Sequence, residues 1–126
     1  MVKSVAILFG IVFIAVGILG FVPGATTDQM LLGIFHVNPA HNAVHILTGV
    51  VALLAGMAGA GGAKMFFRIF GLVYALVAVL GLMHLGQDTM LLGLISNNDA
   101  DTYLHIGIAV VSLLLGFVVP GETAAA

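Results

Sequence analysis

The sequence predicts an all-α fold, a four-helix transmembrane bundle made of two parallel two-helix repeats with pseudo-twofold symmetry about the membrane normal. Of the 126 residues, 62% are hydrophobic and only 6% are charged, whereas a soluble domain is about a quarter charged. Four apolar runs each have the length of about 20 residues that a membrane helix needs. The chain also aligns with itself at an offset of 60 residues. We therefore expect residues 1–126 to form a single transmembrane domain.

The apolar runs place the four spans near residues 4–22, 40–59, 65–84 and 100–119. Turn-forming residues separate them. Pro23-Gly24 ends the first run, a glycine-rich stretch at 56–62 ends the second, and Pro120-Gly121 ends the fourth. The third run ends around His84. This length leaves no room for an extramembrane domain, so any function has to lie in the bilayer or at its surface.

The charges predict the orientation. Three cations lie before the first span or between the second and third: Lys3, Lys64 and Arg68. The acidic residues of the other two loops are Asp28, Asp88, Asp99 and Asp101. By the positive-inside rule, both termini and the middle loop are cytoplasmic. We expect a multi-pass protein of the bacterial inner (plasma) membrane or of an internal membrane continuous with it.

The self-alignment indicates an internal duplication. Residues 28–56 match residues 88–116 without a gap, with identities at 14 of 29 positions, and an offset of 61 aligns the first span with the third. The polar identities carry the argument, because apolar residues match easily by chance; they are Asp28/Asp88, Asn38/Asn98 and His45/His105. Repeat one covers about 1–60 and repeat two about 61–120. Since each repeat holds two spans, both have the same orientation, which predicts a symmetry axis along the membrane normal.

The loops and helix starts have their own signals. Each Met-Leu-Leu-Gly segment, at residues 30–33 and 90–93, is expected to form a short helix that lies at the outer interface or folds back over the bundle mouth, with Asp28 or Asp88 capping its start. Asn38 and Asn98 suit the N-cap positions of spans two and four. Glycine and alanine along all four spans are expected to let the helix backbones approach closely.

Histidines and one carboxylate mark a candidate site. His41 and His45 are four residues apart, as are Asp101 and His105, so each pair lies on one helix face. His45 and His105 lie about 10 Å along their helices from the capping asparagines. An ionisable group at that depth is costly and suggests a functional site. We expect both rings to face the bundle interior, as candidate cofactor ligands, and to form a candidate metal site together with His41 and Asp101.

Three interpretations of this cluster stay open. In the first, the imidazoles are structural and bind backbone carbonyls, a Thr or Ser hydroxyl, or Asp101. In the second, they hold a divalent metal ion, or His45 and His105 ligate a tetrapyrrole such as haem or a chlorophyll-type pigment. In the third, they relay protons or ions as in transporters. His36 and His84 have no histidine counterpart in the other repeat and are expected at the interface.

Composition excludes several functional classes. The chain has no cysteine, which removes disulfides and thiolate chemistry. A net charge of −2 with three scattered cations gives no nucleic-acid binding surface. No glutamate accompanies the histidine pair as in a hydrolytic zinc helix, and Glu122 is expected on the opposite side of the membrane. No set of nucleophile, base and oxyanion donors is recognisable, so the chain is not expected to be an enzyme.

The leading functional expectation is therefore a non-enzymatic structural or accessory subunit in the lipid bilayer. It would self-associate as a homo-oligomer or attach to a larger membrane complex through its glycine-rich helices. The main alternative is a cofactor-binding bundle, and the next is a small ion or proton transporter.

Residues 31–45 contain the string Val37-Asn38-Pro39-Ala40-His41-Asn42-Ala43-Val44-His45, and residues 98–105 repeat part of its pattern. With Gly20-Phe21-Val22-Pro23-Gly24, this string resembles a family of small bacterial membrane proteins of unknown function. The resemblance covers nearly the whole chain. At Thr102 the family more often has Asn. The resemblance implies a four-span integral membrane protein and brings no assigned activity.

Overall fold

A computed structural model describes residues 1–120 and contains four long helices. They are α1 (Val2–Leu19), α2 (Pro39–Ala58), α3 (Ala60–Leu82) and α4 (Asp99–Leu113), the last continued by a π-helical segment, Leu114–Val118. Each of these helices, α4 together with its π-helical segment, is long and apolar enough to cross a membrane. The predicted all-α class with four membrane helices is confirmed. The tail with Glu122 lies outside the described residues.

Close backbone contact joins α1 to α2 and α3 to α4. A β-carbon added at Gly10 would lie only 2.6 Å from the carbonyl oxygen of Gly49, and one added at Gly116, in the π-helical end of α4, would lie 2.7 Å from the backbone nitrogen of Arg68 on α3. Real side chains do not tolerate such distances to backbone atoms, so these contacts require glycine. The two helix pairs pack in the way that small residues allow in membranes, where lipid supplies no hydrophobic force for association.

An aromatic core fills the space between α1 and α3. Phe9 stacks on Phe13 with ring centroids 4.2 Å apart, and Phe66 stacks on Phe70 at 4.9 Å. Phe67 is fully buried among them. Aromatic side chains bury large areas and gain from stacked and edge-to-face geometry. This core supports the polar cluster described below.

Two small antiparallel β-sheets, called here the first and the second hairpin, stand where short helices were expected, and that expectation is wrong. Strands β1 (Thr26–Thr27), β2 (Met30–Leu31) and β3 (Phe35–His36) form an antiparallel sheet before α2, and β4 (Thr89–Leu91) pairs with β5 (Ile95–Asn97) before α4. The physical reason lies in the turns. Leu32 and Gly33 have φ of 54° and 70°, and Leu92 and Gly93 have 55° and 68°. Positive φ at two successive residues is the signature of the type I′ turn, which reverses the chain before a helix forms.

The expected role of Asp28 and Asp88 as caps of those helices is therefore also wrong. Asp28 and Gln29, with φ of 53° and 63°, form the two-residue turn that joins β1 to β2. Aspartate tolerates this left-handed conformation better than most residues. Asp88 is exposed and immediately precedes β4. Asp28 therefore lies in a hairpin turn and Asp88 just before a strand, and neither stands at a helix start.

The two asparagine caps are confirmed. The Asn38 side chain accepts a hydrogen bond of 2.9 Å from the backbone N–H of His41, and Asn98 accepts one of 3.0 Å from that of Asp101. Each satisfies a donor that the first turn of a helix leaves without an intrahelical partner. Because the caps fix where α2 and α4 begin, they also fix which residues face inward one and two turns later.

Two basic side chains of α3 bind backbone carbonyl groups at the C-terminal end of α4. Arg68 donates from Nε to the carbonyl oxygen of Gly116 at 2.7 Å, and the Lys64 ammonium donates to the carbonyl oxygen of Val119. The π-helical segment leaves carbonyl groups near its end that these side chains reach. Basic groups at a helix C-terminus also complement the helix dipole.

Candidate metal centre

Three buried imidazoles meet near the hairpin end of the bundle. His41 and His45 on α2 and His105 on α4 each place one ring nitrogen within 4.8 Å of the others. Their exposed fractions are 3%, 6% and 3%. The ring centroid of His41 lies 4.9 Å from that of His45 and 5.9 Å from that of His105. Three of the four candidate ligands expected from the sequence therefore come together.

The helix starts explain this convergence. Pro39 begins α2 and Asp99 begins α4, so His45 and His105 are both the seventh residue of their helices. His41 is one turn before His45 and shares its face. On each helix this face is continued by small buried residues, Gly49 and Ala52 on α2 and Ala109 and Ser112 on α4. The histidines point inward, as expected, because these stripes face the centre of the bundle.

The hydrogen bonds of His41 determine its tautomer. Its Nδ1 lies 2.8 Å from the carbonyl oxygen of Ser96 and 3.2 Å from that of His36. A carbonyl oxygen only accepts, so Nδ1 carries the proton and donates. In the neutral ring, Nε2 then keeps its lone pair. A histidine whose other ring nitrogen donates to a carbonyl is the usual form of a metal-binding histidine.

His45 and His105 are held differently. The Nδ1 atom of each ring is buried and has no hydrogen-bond partner within residues 1–120. Such a buried polar atom without a partner costs about 1–3 kcal/mol. The buried Oγ of Ser112 likewise has no hydrogen-bond partner among residues 1–120. Within residues 1–120, these two Nδ1 atoms therefore do not make the hydrogen bonds to protein groups that the structural interpretation requires.

Asp101, the fourth candidate ligand, lies outside the three-histidine group in the described residues. Its Oδ2 accepts hydrogen bonds of 3.0 Å from the backbone N–H groups of His36 and Asn98. With the cap from Asn98 to its own N–H, this forms a capping box. The carboxylate thus ties β3 to the start of α4. The spacing Asn98-x-x-Asp101 is the sequence signal that indicates this role.

Aromatic rings surround the cluster. Phe13 stacks on His45 with centroids 5.0 Å apart and an interplanar angle of 27°, and Tyr74 meets His105 edge-on at 5.2 Å. Neither contact was expected, because both aromatic residues lie within long apolar runs that give no signal of their partners. His36, half-buried, contributes its backbone, and His84 is exposed beyond α3.

The donor set is suited to a transition metal. Imidazole binds zinc, copper, iron and nickel, and the chain offers no thiolate that would favour softer ions. Three histidines around one ion leave a fourth position open, as in catalytic zinc sites. Whether a tetrapyrrole binds His45 and His105 stays a prediction.

Comparisons with known proteins agree with the resemblance seen in the sequence. No curated protein and no solved structure matches the chain. The family model described as domain of unknown function (DUF4383) matches residues 3–118. Since this match covers most of the 126 residues, the chain belongs to the DUF4383 family.

Proposed function

We propose that this membrane protein binds a divalent transition-metal ion of the zinc or copper class through His41, His45 and His105. The convergence of three buried ring nitrogens within 4.8 Å carries the proposal. Zinc–nitrogen bonds of about 2.0–2.1 Å in a tetrahedral site separate the ligand nitrogens by roughly 3.4 Å. The three nitrogens, within 4.8 Å of one another, therefore have to move closer together to share one ion.

The surroundings support the same assignment. His41 already has the proton on Nδ1 that leaves Nε2 for the metal. The buried Nδ1 atoms of His45 and His105 have no hydrogen-bond partner among residues 1–120, and a bound metal ion would supply the missing partner.

Metal titration of the purified protein tests the proposal. The protein is extracted in mild detergent, stripped with a chelator and titrated with Zn²⁺ or with Co²⁺, whose visible absorption reports its coordination. We expect one ion per chain, and we expect His41→Ala, His45→Ala and His105→Ala each to weaken binding strongly. His84→Ala removes an exposed imidazole and serves as the matched control, which keeps binding. No saturable binding, or unchanged binding in all three variants, contradicts the proposal.

The accessory-subunit role stays a prediction and is compatible with a metal site. Exposed apolar side chains cover the lipid-facing surfaces of all four helices, as a bilayer requires. Mass measurement of the protein in mild detergent distinguishes a homo-oligomer or a larger complex from a monomer. A monomer without partners under every gentle condition contradicts the accessory role and leaves the metal site unaffected.

A further inference from the structure

Two cavities of nearly equal size flank the three histidines. The first, of about 230 Å³, lies between α1, the first hairpin and the starts of α2 and α4, and it reaches His41 and His45. The second, of about 240 Å³, lies between α2, α3 and the second hairpin, and it reaches His41 and His105. The candidate metal centre is thus approached from two sides.

Corresponding positions line the two cavities. The sequence alignment at offsets of 60 and 61 pairs lining residues of the first cavity with lining residues of the second: Val16 with Val77, Leu31 with Leu91, and His45 with His105. A chance gap between helices has no reason to recur at matched positions. The recurrence indicates that both halves of the chain keep the same space open beside an imidazole.

The cavity walls select an uncharged occupant. Apart from the histidines, aliphatic and aromatic side chains dominate both linings. The carboxylate in the first cavity, Asp101, already accepts two backbone hydrogen bonds. One highly exposed leucine belongs to each lining, Leu32 at 63% and Leu92 at 82%. An anionic molecule would find no Lys or Arg side chain in either lining as described here, and the carboxylate that a cation would need already has its two backbone partners. An apolar molecule, in contrast, keeps a lipid-like environment on entry.

The volumes limit the occupant to a head group. Sites for drug-sized ligands measure about 300–1,000 Å³, and each cavity here is smaller. A ring or a glycerol-sized group fits, while a hydrocarbon tail has to remain in the bilayer. The occupant is therefore an amphiphile that the membrane itself supplies.

We propose that uncharged lipid-soluble molecules with an oxygen-bearing head group enter these cavities from the bilayer, and that their oxygen occupies the open coordination position of the metal. The inference rests on the metal site proposed above. Three histidines hold the ion and leave one position free, and each cavity is lined by two of these histidines, with His41 shared by both. Quinones and neutral glycerides share the required chemistry.

Cobalt-loaded protein in detergent distinguishes these sources. It is titrated with a short-chain benzoquinone, with a monoacylglycerol, and with a lysophosphatidylglycerol of the same chain length, whose anionic phosphate makes it the charged control. We expect at least one of the two uncharged probes to shift the cobalt absorption saturably and the charged probe to leave it unchanged. The responding probe identifies the head-group class. No shift with either uncharged probe, or an equal shift with the charged one, overturns this inference while the cobalt spectrum still supports the metal site. Absence of cobalt binding overturns both.

Filling the cavities tests the route. Val16→Phe occupies the first cavity and Val77→Phe the second, and Val12→Phe adds the same bulk at an exposed position outside both linings. Each single variant is expected to keep the probe response through the other cavity, and the double variant to lose it. All variants should retain cobalt binding, which also shows that they fold. The two-cavity route is overturned if the probe response survives in the double variant or disappears in Val12→Phe. If the double variant does not bind cobalt, the smaller double change Val16→Ile with Val77→Ile replaces it. That variant then has to weaken the probe response.

Discussion

The side-chain amides of Asn38 and Asn98 each hold the hairpin of the opposite half of the molecule. Asn38 donates from Nδ2 to the carbonyl oxygen of Leu94 at 2.9 Å, and Asn98 donates from Nδ2 to that of Ile34 at 3.0 Å. Their Oδ1 atoms meanwhile cap α2 and α4. The exchange is reciprocal, as in an isologous interface between two subunits. Each asparagine thus caps its own helix and also holds the turn of the hairpin from the other half of the chain.

Replacing Asn38 separates these two roles. Asn38→Ala loses the cap and the crossing bond, whereas Asn38→Ser keeps a capping oxygen but is too short to reach Leu94. Loss of a cap costs about 0.5–2 kcal/mol, and loss of the crossing bond adds about 0.5–1.5 kcal/mol. Thermal unfolding in detergent is expected to rank wild type above Asn38→Ser and Asn38→Ser above Asn38→Ala.

The equivalent changes at Asn98 provide the internal comparison. They are expected to follow the same order, because Asn98 makes the same pair of contacts. An Asn38→Ser variant as stable as wild type would show that the crossing bond contributes nothing.

The helices and caps were predictable because their signals are local. Long apolar runs give the spans, and Asn38-Pro39 gives a helix start with an N-cap and a proline in the first turn. The hairpins were not predictable in this way. Leucine at positive φ, as at Leu32 and Leu92, contradicts local preference, and both turns accept hydrogen bonds from distant residues, Ile34 from Asn98 and Leu94 from Asn38. The π-helical end of α4 likewise depends on Arg68, 48 residues away from Gly116.

The site was predictable in part. Helical spacing and the predicted duplication indicated that His45 and His105 face inward, and His41 follows from its place one turn before His45. The role of Asp101 was missed: it was expected as a ligand because it lies four residues before His105, whereas the structure places its carboxylate in a capping box with Asn98. The partners of His41, the carbonyl oxygens of His36 and Ser96, belong to the hairpins and were out of reach of sequence reasoning for the same reason as the hairpins themselves.

The turn glycine of the second hairpin should be sensitive to any side chain. Gly93 has φ of 68° with nothing within 4 Å of an added β-carbon, so Gly93→Ala tests backbone conformation alone. We expect a loss of about 1 kcal/mol in the free energy of unfolding. Gly107→Ala is the control, because its site in α4 is equally open and has ordinary helical φ; there alanine should stabilise by about 0.5–1 kcal/mol. Equal effects at the two sites would contradict the turn assignment.

Gly10 should also be sensitive to a side chain, but for the opposite reason: its site is crowded by α2, whereas that of Gly93 is open. An added β-carbon meets backbone atoms of Gly49 and Leu53 within 3 Å, and neither can move without shifting α2. Gly10→Ala should therefore destabilise the bundle by about 1–3 kcal/mol, the usual cost of overpacking. Thermal unfolding beside Gly107→Ala measures this, and a Gly10→Ala protein as stable as that control would show that α1 and α2 do not pack as described.

The charges make a topology prediction that the helix bundle itself does not test. A reporter fused after Gly62 should read as cytoplasmic, because Lys64 and Arg68 follow it. A reporter inserted after Gly33, in the turn between β2 and β3, should read as outside. The opposite pair of results would invert the orientation and place the metal centre near the cytoplasmic surface.

His105 should be worse for the stability of the metal-free protein than an apolar residue of similar size. Its Nδ1 is buried without a partner among residues 1–120, so His105→Leu removes a cost of about 1–3 kcal/mol while keeping most of the contact with Tyr74. In chelator, the variant is expected to unfold at a temperature equal to or above that of wild type. Added zinc should reverse the order. An ion at about 100 times its dissociation constant stabilises the folded state by about 2.7 kcal/mol, and only the protein with three histidines gains it in full. His84→Leu, which changes an exposed imidazole, should behave as wild type in both conditions. A purely structural His105 predicts the contrary result: a lower unfolding temperature in chelator and no response to zinc in either protein.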